Sequence, residues 1–386
     1  FLHSYDLRLE ELDSRVWLAE DFGRARLDLD TRIEGSFDEA AACLEHELFD
    51  HQGRSIARIE APLRRAQALS LPIDAPQLWW PAGHGEQPLY RLVTTIREGG
   101  ETLARQTRSI GLRRLRLVQA PVSGEPGLSF HFEVNGKAIF TGGANWIPDD
   151  NLLNRISPER YRERVKQAVK ANMLMLRVWG GGIYEDDAFY EACDELGVLV
   201  WQDFLFACGL YPAHPEFLES VEREAEAALL RLRHHASLAI WCGNNEDYAI
   251  AESVNLSMEC FEGRKLYEGL LPGLCARLDP DRPYWPGSPY TPSATSPRPS
   301  DDPSLGDRHS WEIWHKEMRP YQHYHQVQAR FVSEFGMQAH PSLALLERAI
   351  PEPERFPLSR TMTAHNKAGS AEAPDGHRRL AVYIAD

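Results

Sequence analysis

From residue 138 onward the chain repeats one pattern, a short apolar run followed by a stretch with helical period, and this alternation limits the fold more than any other feature. The strand candidates are 138–144, 173–178, 198–203, 238–242, 284–288, about 306–311 and 330–335. Between them lie a helix with Ser157 as N-cap and Pro158 in its first turn, and helical patterns at 187–196, 215–235, 251–277 and about 343–349. Strands that are apolar throughout and separated by helices belong to parallel sheets, because the crossover helices cover both faces. Six or seven such units predict a (β/α)8 TIM barrel, with its chemistry at the carboxyl ends of the strands. Seven strand candidates are counted and no eighth, so the barrel is expected to be incomplete.

The preceding hundred residues have a different rhythm. Leu27, Leu29 and Ile33 alternate on one face, Asp50 to Gly53 form a turn, and Gly99-Gly100 separate two further alternating runs. Strands at this spacing without helical period suggest a β-sandwich. Residues 37–49 are read as strand despite their alanines. The expected organisation is multidomain, β plus α/β: 1–20 a remnant of a preceding domain or a linker, 21–120 an immunoglobulin-like sandwich, and 128–386 the barrel. Pro121 to Gly127 is the linker between them, followed by a hairpin at Asn135-Gly136.

With 42 basic and 57 acidic residues the net charge is −15, which argues against nucleic acid as a partner. No apolar run reaches the roughly 18 residues a membrane span needs. The six scattered cysteines read as reduced and mostly buried. The start, Phe1-Leu2-His3-Ser4-Tyr5, has neither an initiator Met nor the regions of a signal peptide and reads as an internal cut, which leaves the compartment open. Oligomeric state is open as well.

Two of the strand candidates end in a glutamate. Leu238 to Cys242 runs into Gly243-Asn244-Asn245-Glu246, and Phe331-Val332-Ser333 into Glu334. Two strand-end carboxylates on one scaffold suggest the acid/base and nucleophile of a retaining glycosidase. Partial burial is expected to raise the pKa of Glu246 and keep it protonated, as a general acid requires; the plainer alternative is an exposed loop glutamate. Arg177, closing Met173 to Leu176, is a suitable partner for Glu334, the alternative being a structural ion pair. Trp146, Trp179, Trp201, Trp311 and Trp314 fall at or past strand ends, and their clustering suits the apolar faces of a sugar, although core packing explains any one of them. Asp203 and Asp149 or Asp150 are suited to sugar hydroxyls, with capping or turn roles as the alternative. His309, His315, His323 and His325 show no metal-ligand spacing, so no metal and no cofactor are expected. Gly180-Gly181-Gly182 lacks a phosphate-loop pattern and reads as a tight turn.

At these residues the chain resembles the β-mannosidases of glycoside hydrolase family two. The matching phrases are Leu78-Trp79-Trp80-Pro81, Gly143-Ala144-Asn145-Trp146-Ile147-Pro148, Leu176-Arg177-Val178-Trp179-Gly180-Gly181-Gly182, Trp201-Gln202-Asp203-Phe204, Trp241-Cys242-Gly243-Asn244-Asn245-Glu246 and Ser333-Glu334-Phe335-Gly336. The resemblance implies Glu246 as acid/base and Glu334 as nucleophile in hydrolysis of terminal β-mannosides with retention. It implies Asn245 at the sugar's second hydroxyl, with Arg177, Trp179, Asp203, Trp146, His309 and Trp311 around the terminal sugar. Family members carry a jelly-roll domain before the sandwich and further segments after the seventh strand, so the chain is expected to be a fragment. The alternatives are another activity of the same family (β-galactosidase, β-glucuronidase or exo-β-glucosaminidase) or a silent glycan-binding piece.

Overall fold

The computed structural model describes residues 7–292, 300–315, 317–366 and 376–385. Seven antiparallel strands come first: β1 (Leu7–Leu18), β2 (Arg24–Gly35), β3 (Ala42–Phe49), β4 (Ser55–Pro62), β5 (Ala66–Asp74), β6 (Leu89–Glu98) and β7 (Glu101–Gly111). They form two sheets, β1-β2-β5 and β4-β3-β6-β7, packed as a sandwich. Alternation places Ala25, Leu27, Leu29 and Ile33 of β2 inward with Leu48, Leu71, Leu92 and Ile110 from the other strands. His46 is enclosed between the sheets, bonded to Thr94 Oγ1 at 2.8 Å, and burial lowers its pKa to about 4.

Two expectations about this region need correction. Residues 7–18 are neither remnant nor linker: β1 pairs with β2 from Leu7↔Gly35 to Leu18↔Ala25, because Leu12 and Leu18 turn into the same core. Residues 38–41 are a turn, in which Asp38 accepts the amides of Ala41 and Ala42, and the strand starts at Ala42.

A small sheet of β8 (Leu115–Val118), β9 (His131–Val134) and β10 (Lys137–Ile139), in the order β10-β9-β8, joins the sandwich to the second region. Asn135 and Gly136 have φ of 50° and 79°, the two positive values a tight I′ hairpin needs. The candidate 138–144 is therefore two pieces, because Lys137 to Ile139 return along β9 before the chain turns into the next strand.

Five parallel strands follow, in the order β11 (Gly143–Trp146), β12 (Met175–Val178), β13 (Leu199–Asp203), β14 (Leu238–Cys242) and β15 (Tyr284–Trp285). Two more, β16 (Arg308–Ser310) and β17 (Val332–Phe335), pair parallel with each other. The ring is drawn together by a single-residue bridge, Asn245↔Ser288, and by Asn145 Nδ2 donating to Ser333 O at 3.1 Å across from β11 to β17. Seven strands are present among the described residues and no eighth, so a complete barrel is not formed by them.

Helices α1 (Pro158–Lys170), α2 (Asp187–Leu196) and α3 (Pro215–Leu232) cover the parallel sheet and bury Tyr161, Phe189, Tyr190 and Leu229 against it. Ser157 Oγ accepts the Arg160 amide at the head of α1, and Gly197 closes α2 in the left-handed conformation, φ 75°. The expected long helix over 251–277 is broken: α4 (Asp247–Ser253) ends early and α5 (Leu271–Leu278) begins after a π-turn at Leu266–Leu270. Pro272 in the first turn of α5 and glycines 263 and 269 account for the interruption. Later helices are α6 (Leu343–Ala349), α7 (Arg360–His365) and α8 (Gly376–Ala385), the last stacking Tyr383 on Trp314. No helix among the described residues is long and apolar enough to cross a membrane.

The sandwich is anchored on the α/β region by specific polar contacts. Trp79, fully buried, donates its indole N–H to Asp194 O at 2.7 Å, and Arg113 Nε donates to Ala236 O at 2.9 Å. Arg233 reaches Glu11 and Asp13 of β1, each at 3.0 Å. Truncating a buried tryptophan such as Trp79 costs about 3–5 kcal/mol, so this seam is a substantial part of the fold.

Candidate active site

A cavity of about 1840 Å³ opens where the carboxyl ends of the parallel strands converge. Arg177, next to last in β12, stands at its centre, and the register aligns it with Asn145 on one side and Trp201 on the other. Its guanidinium donates from Nη1 to Glu334 Oε1 at 2.6 Å and to Asn145 Oδ1 at 2.9 Å. From Nη2 it donates to Asp203 Oδ2 at 2.9 Å and to Asn245 Oδ1 at 2.7 Å. Burial alone would lower the pKa of Arg177, but the facing charges of Asp203 and Glu334 raise it instead. This one cation ties the ends of β11, β12, β13 and β17 to the loop after β14.

Glu246 enters from the opposite wall. Its backbone is left-handed, φ 64°, an uncommon conformation for a residue with a side chain and one that concentrates at functional sites. The amide of Glu246 donates to Ser288 O at 2.8 Å, which fixes the turn into α4. Instead of capping that helix, the carboxylate reaches His309 Nδ1 through Oε1 at 2.7 Å and Cys208 Sγ through Oε2 at 3.5 Å. Glu334 Oε2 receives the Trp311 indole at 3.2 Å and lies 3.3 Å from the same His309 nitrogen. The donor atoms of Glu246, His309 and Glu334 lie within 4.8 Å of one another. The imidazole stands at hydrogen-bond distance from Glu246, 2.7 Å from Nδ1 to Oε1.

The electrostatics of Glu246 differ from expectation. Burial does push its carboxyl upward, but the hydrogen bond and charge of His309 outweigh it, helped by Cys208 and Arg177, and the pKa lies below the ordinary glutamate value. Asp203 behaves the other way: complete burial dominates and raises its pKa despite bonds from Arg177, Trp201 and the Gly180 amide.

Of the expected residues, Glu246, Glu334, Asn245, Arg177, Trp179, His309 and Trp311 line the cavity together. Asp203 does not; it lies wholly buried under Arg177. Trp146 does not either. Its ring packs on Phe189 at 4.6 Å between centroids, and its indole N–H donates to Glu185 Oε1 at 2.8 Å on the outer face of the sheet. Asp149 is held by Arg164 at 2.9 Å, and Asp150 accepts the Leu152 amide, which are turn and helix-start roles. Gly180 is needed for close approach, since a Cβ there would stand 2.4 Å from Phe206 O. His323 and His325 lie in a 3-10 turn.

Four residues escaped sequence reading. Asn145 and Cys208 line the cavity, the latter carried there by a bridge between Ala207 and Asn245. Asp307, fully buried, accepts the Ser288 hydroxyl at 2.6 Å, and that hydroxyl oxygen lies 3.0 Å from His309 Nε2. The loop cysteine and the interior serine-aspartate pair follow no apolar run, so no pattern marked them. All six cysteines are free, and Cys208 and Cys260 are exposed.

Residues 8–113 match the family model described as glycosyl hydrolases family 2. The β-mannosidase B of Thermothelomyces thermophilus is 40% identical over 405 residues, an alignment spanning 100% of this chain and 46% of that protein. The β-mannosidase B of Emericella nidulans is 39% identical over 402 residues with the same shares. A crystal structure of the β-D-mannosidase from Dictyoglomus thermophilum matches with a TM-score of 0.87 and 38% identity, over 98% of this chain and 46% of that one. A β-glucuronidase from Parabacteroides merdae matches with a TM-score of 0.65 over 87% of this chain and 41% of its own, at 17% identity, a likeness of fold alone. The chain spans about half the length of the curated relatives it matches.

Proposed function

We propose that the chain belongs to the glycosyl hydrolases of family 2 and that its protein is a retaining exo-β-mannosidase acting on terminal, non-reducing β-mannosyl residues. The observation that carries the reading is the pairing of two carboxylates over one cavity, an oxygen of Glu246 and an oxygen of Glu334 lying within 4.8 Å. Retaining glycosidases hold their carboxyl groups about 5–5.5 Å apart, whereas inverting ones leave about 6.5–9.5 Å for a water.

The environments of the two carboxylates suit different tasks. Arg177 and the Trp311 indole each bind one oxygen of Glu334, which fixes the carboxylate for attack on the anomeric carbon. Glu246, with 26% of its side chain exposed, faces the cavity where a leaving oxygen or an incoming water would sit. In the first step Glu334 displaces the aglycone while Glu246 protonates the departing oxygen; in the second Glu246 takes a proton from water, which releases the sugar from Glu334. Asn245, held by Arg177 Nη2, is positioned for the sugar's second hydroxyl, and Trp179 and Trp311 offer flat faces to the ring. Asp203 serves by orienting Arg177, and Trp146 has no contact with substrate in this reading.

The test is covalent capture. A 2-fluoro mannoside with an activated leaving group is expected to label the intact protein at Glu334, located by peptide mass spectrometry. Label on another residue, or turnover retained by Glu334→Gln, rejects the assignment.

A further inference from the structure

We propose that His309 stores the catalytic proton: in the resting site one proton is shared between His309 Nδ1 and Glu246 Oε1, and Glu246 passes it to the leaving oxygen. This rests on the glycosidase reading above and assigns His309 a role beyond that of a wall of the sugar site.

The argument is a hydrogen-bond count. Asp307 receives at Oδ1 the indole N–H of Trp285 at 2.8 Å and the backbone N–H of Tyr290 at 3.0 Å, groups that only donate. Its Oδ2 takes the hydroxyl of Ser288 at 2.6 Å and that of Ser333 at 2.5 Å. Ser288 has one hydroxyl proton; the charged Asp307 oxygen at 2.6 Å holds it in preference to Ser333 Oγ at 3.2 Å, and the Ser288 oxygen accepts from His309 Nε2 at 3.0 Å. Nε2 therefore carries a hydrogen. On the other side of the ring, Nδ1 stands 2.7 Å from Glu246 Oε1. Two lone pairs at that distance repel, so one proton lies between them, on the nitrogen or on the oxygen.

The ring stands among charged groups. Glu246 and Glu334 face Nδ1 directly, and Asp307 stands behind Ser288. Arg177 opposes them from behind Glu334, Cys208 touches the far oxygen of Glu246, and His315 also senses the Glu246 charge. The lowered pKa of Glu246 follows from the same contact.

The two steps then balance. As Glu334 forms its bond to the anomeric carbon, its charge is consumed and the ring loses one of its anions. The shared proton passes from Nδ1 through Glu246 to the aglycone oxygen as the glycosidic bond breaks, leaving neutral His309 beside ionised Glu246. In hydrolysis Glu246 takes a proton from water and returns it to Nδ1, the hydroxyl bonds to the anomeric carbon, and the bond to Glu334 breaks. The net charge of the site with its substrate is constant throughout.

The test uses the intact protein and two substrates, mannobiose, whose leaving alcohol needs a proton, and 2,4-dinitrophenyl mannoside, whose phenolate does not. For His309→Asn, kcat/KM for mannobiose is expected to fall about 100-fold or more and its alkaline limb to move to lower pH, with less than about fivefold loss on the dinitrophenyl substrate. Equal losses on both substrates with the limb unmoved overturn the proposal, because that is the mark of a structural residue. Should His309→Asn not fold, Ser288→Ala, which removes the acceptor for Nε2–H, is expected to move the limb in the same direction; an unmoved limb there also overturns it. A wild type that hydrolyses neither mannoside overturns this role together with the glycosidase reading. A wild type that hydrolyses both, with variants that keep its limb, overturns this role alone.

Discussion

Asp203 lies beneath Arg177 and takes two of its N–H groups, Nε at 3.3 Å and Nη2 at 2.9 Å, while itself fully enclosed. Geometry of this kind turns a long, flexible cation into a fixed one. The remaining N–H groups then reach Glu334, Asn145 and Asn245 without further loss of side-chain freedom.

Breaking this pair is expected to be costly because it leaves a buried charge without its partner. Arg177→Met should destabilise the protein by about 3–5 kcal/mol, read as a shift in the urea midpoint, and should abolish turnover. Adding Asp203→Asn should return about half of that stability and none of the activity. A single variant as stable as wild type would show that Asp203 finds another partner.

Asp247 gives a pH signature. Burial comes first among the causes that push its carboxyl up to about 7, with the charges of Asp203 and Glu246 adding to it against bonds from the Gly209 amide and Tyr267 hydroxyl. The folded chain thus holds this proton when an unfolded aspartate, titrating near ~3.9, has lost it. Its contribution is complete below about pH 4 and is lost as the pH rises to about 7, by up to ~1.4 kcal/mol per unit. Chemical denaturation across that range should show wild type losing stability relative to Asp247→Asn as the pH rises; a constant difference would contradict the shift.

Much of this site could be read from the chain because its residues stand where apolar runs stop. Arg177 and Glu334 stand next to last in their strands, Asp203 ends one and Asn245 follows one, and a polar residue there has few destinations other than the rim and the layer just beneath it. Trp146 was misassigned for a reason of period. Strand side chains alternate, so with Asn145 turned to Arg177 the next residue faces the helices, where Glu185 and Phe189 meet it. The pKa of Glu246 was misjudged because burial is visible in a sequence and a histidine 63 positions away is not. The first strand was missed because Arg8, Glu10, Arg15 and Arg32 crowd the outward face of β1 and β2 with charge, which masks the inward leucines.

The two tryptophans separate core from site. Trp146→Phe keeps the ring packing and loses the indole bond to Glu185, so stability should fall by about 1–3 kcal/mol with KM within about twofold of wild type. Trp179→Ala removes a cavity wall, and kcat/KM for mannosides should fall with the melting temperature little changed. The reverse pattern would return Trp146 to the sugar site.

Cys208 offers a check on how the Glu246 carboxylate is held. It is exposed at the cavity, its backbone is left-handed at φ 51°, and its Sγ lies 3.5 Å from Glu246 Oε2 and 3.4 Å from Asn245 Nδ2. Burial and then the Glu246 charge push its thiol up to about 12, so at neutral pH almost none of it is thiolate. Despite its exposure, iodoacetamide should therefore alkylate it far more slowly than a free thiol of pKa about 8.5. Glu246→Gln removes that charge, which should speed alkylation while Cys208→Ser abolishes it. Saturating mannose should protect, since the reagent and the sugar compete for the same wall. The rates follow from mass spectrometry of the cysteine peptide over a time course. Rapid labelling of wild type, unaffected by Glu246→Gln or by mannose, would mean that the thiol points away from the carboxylate.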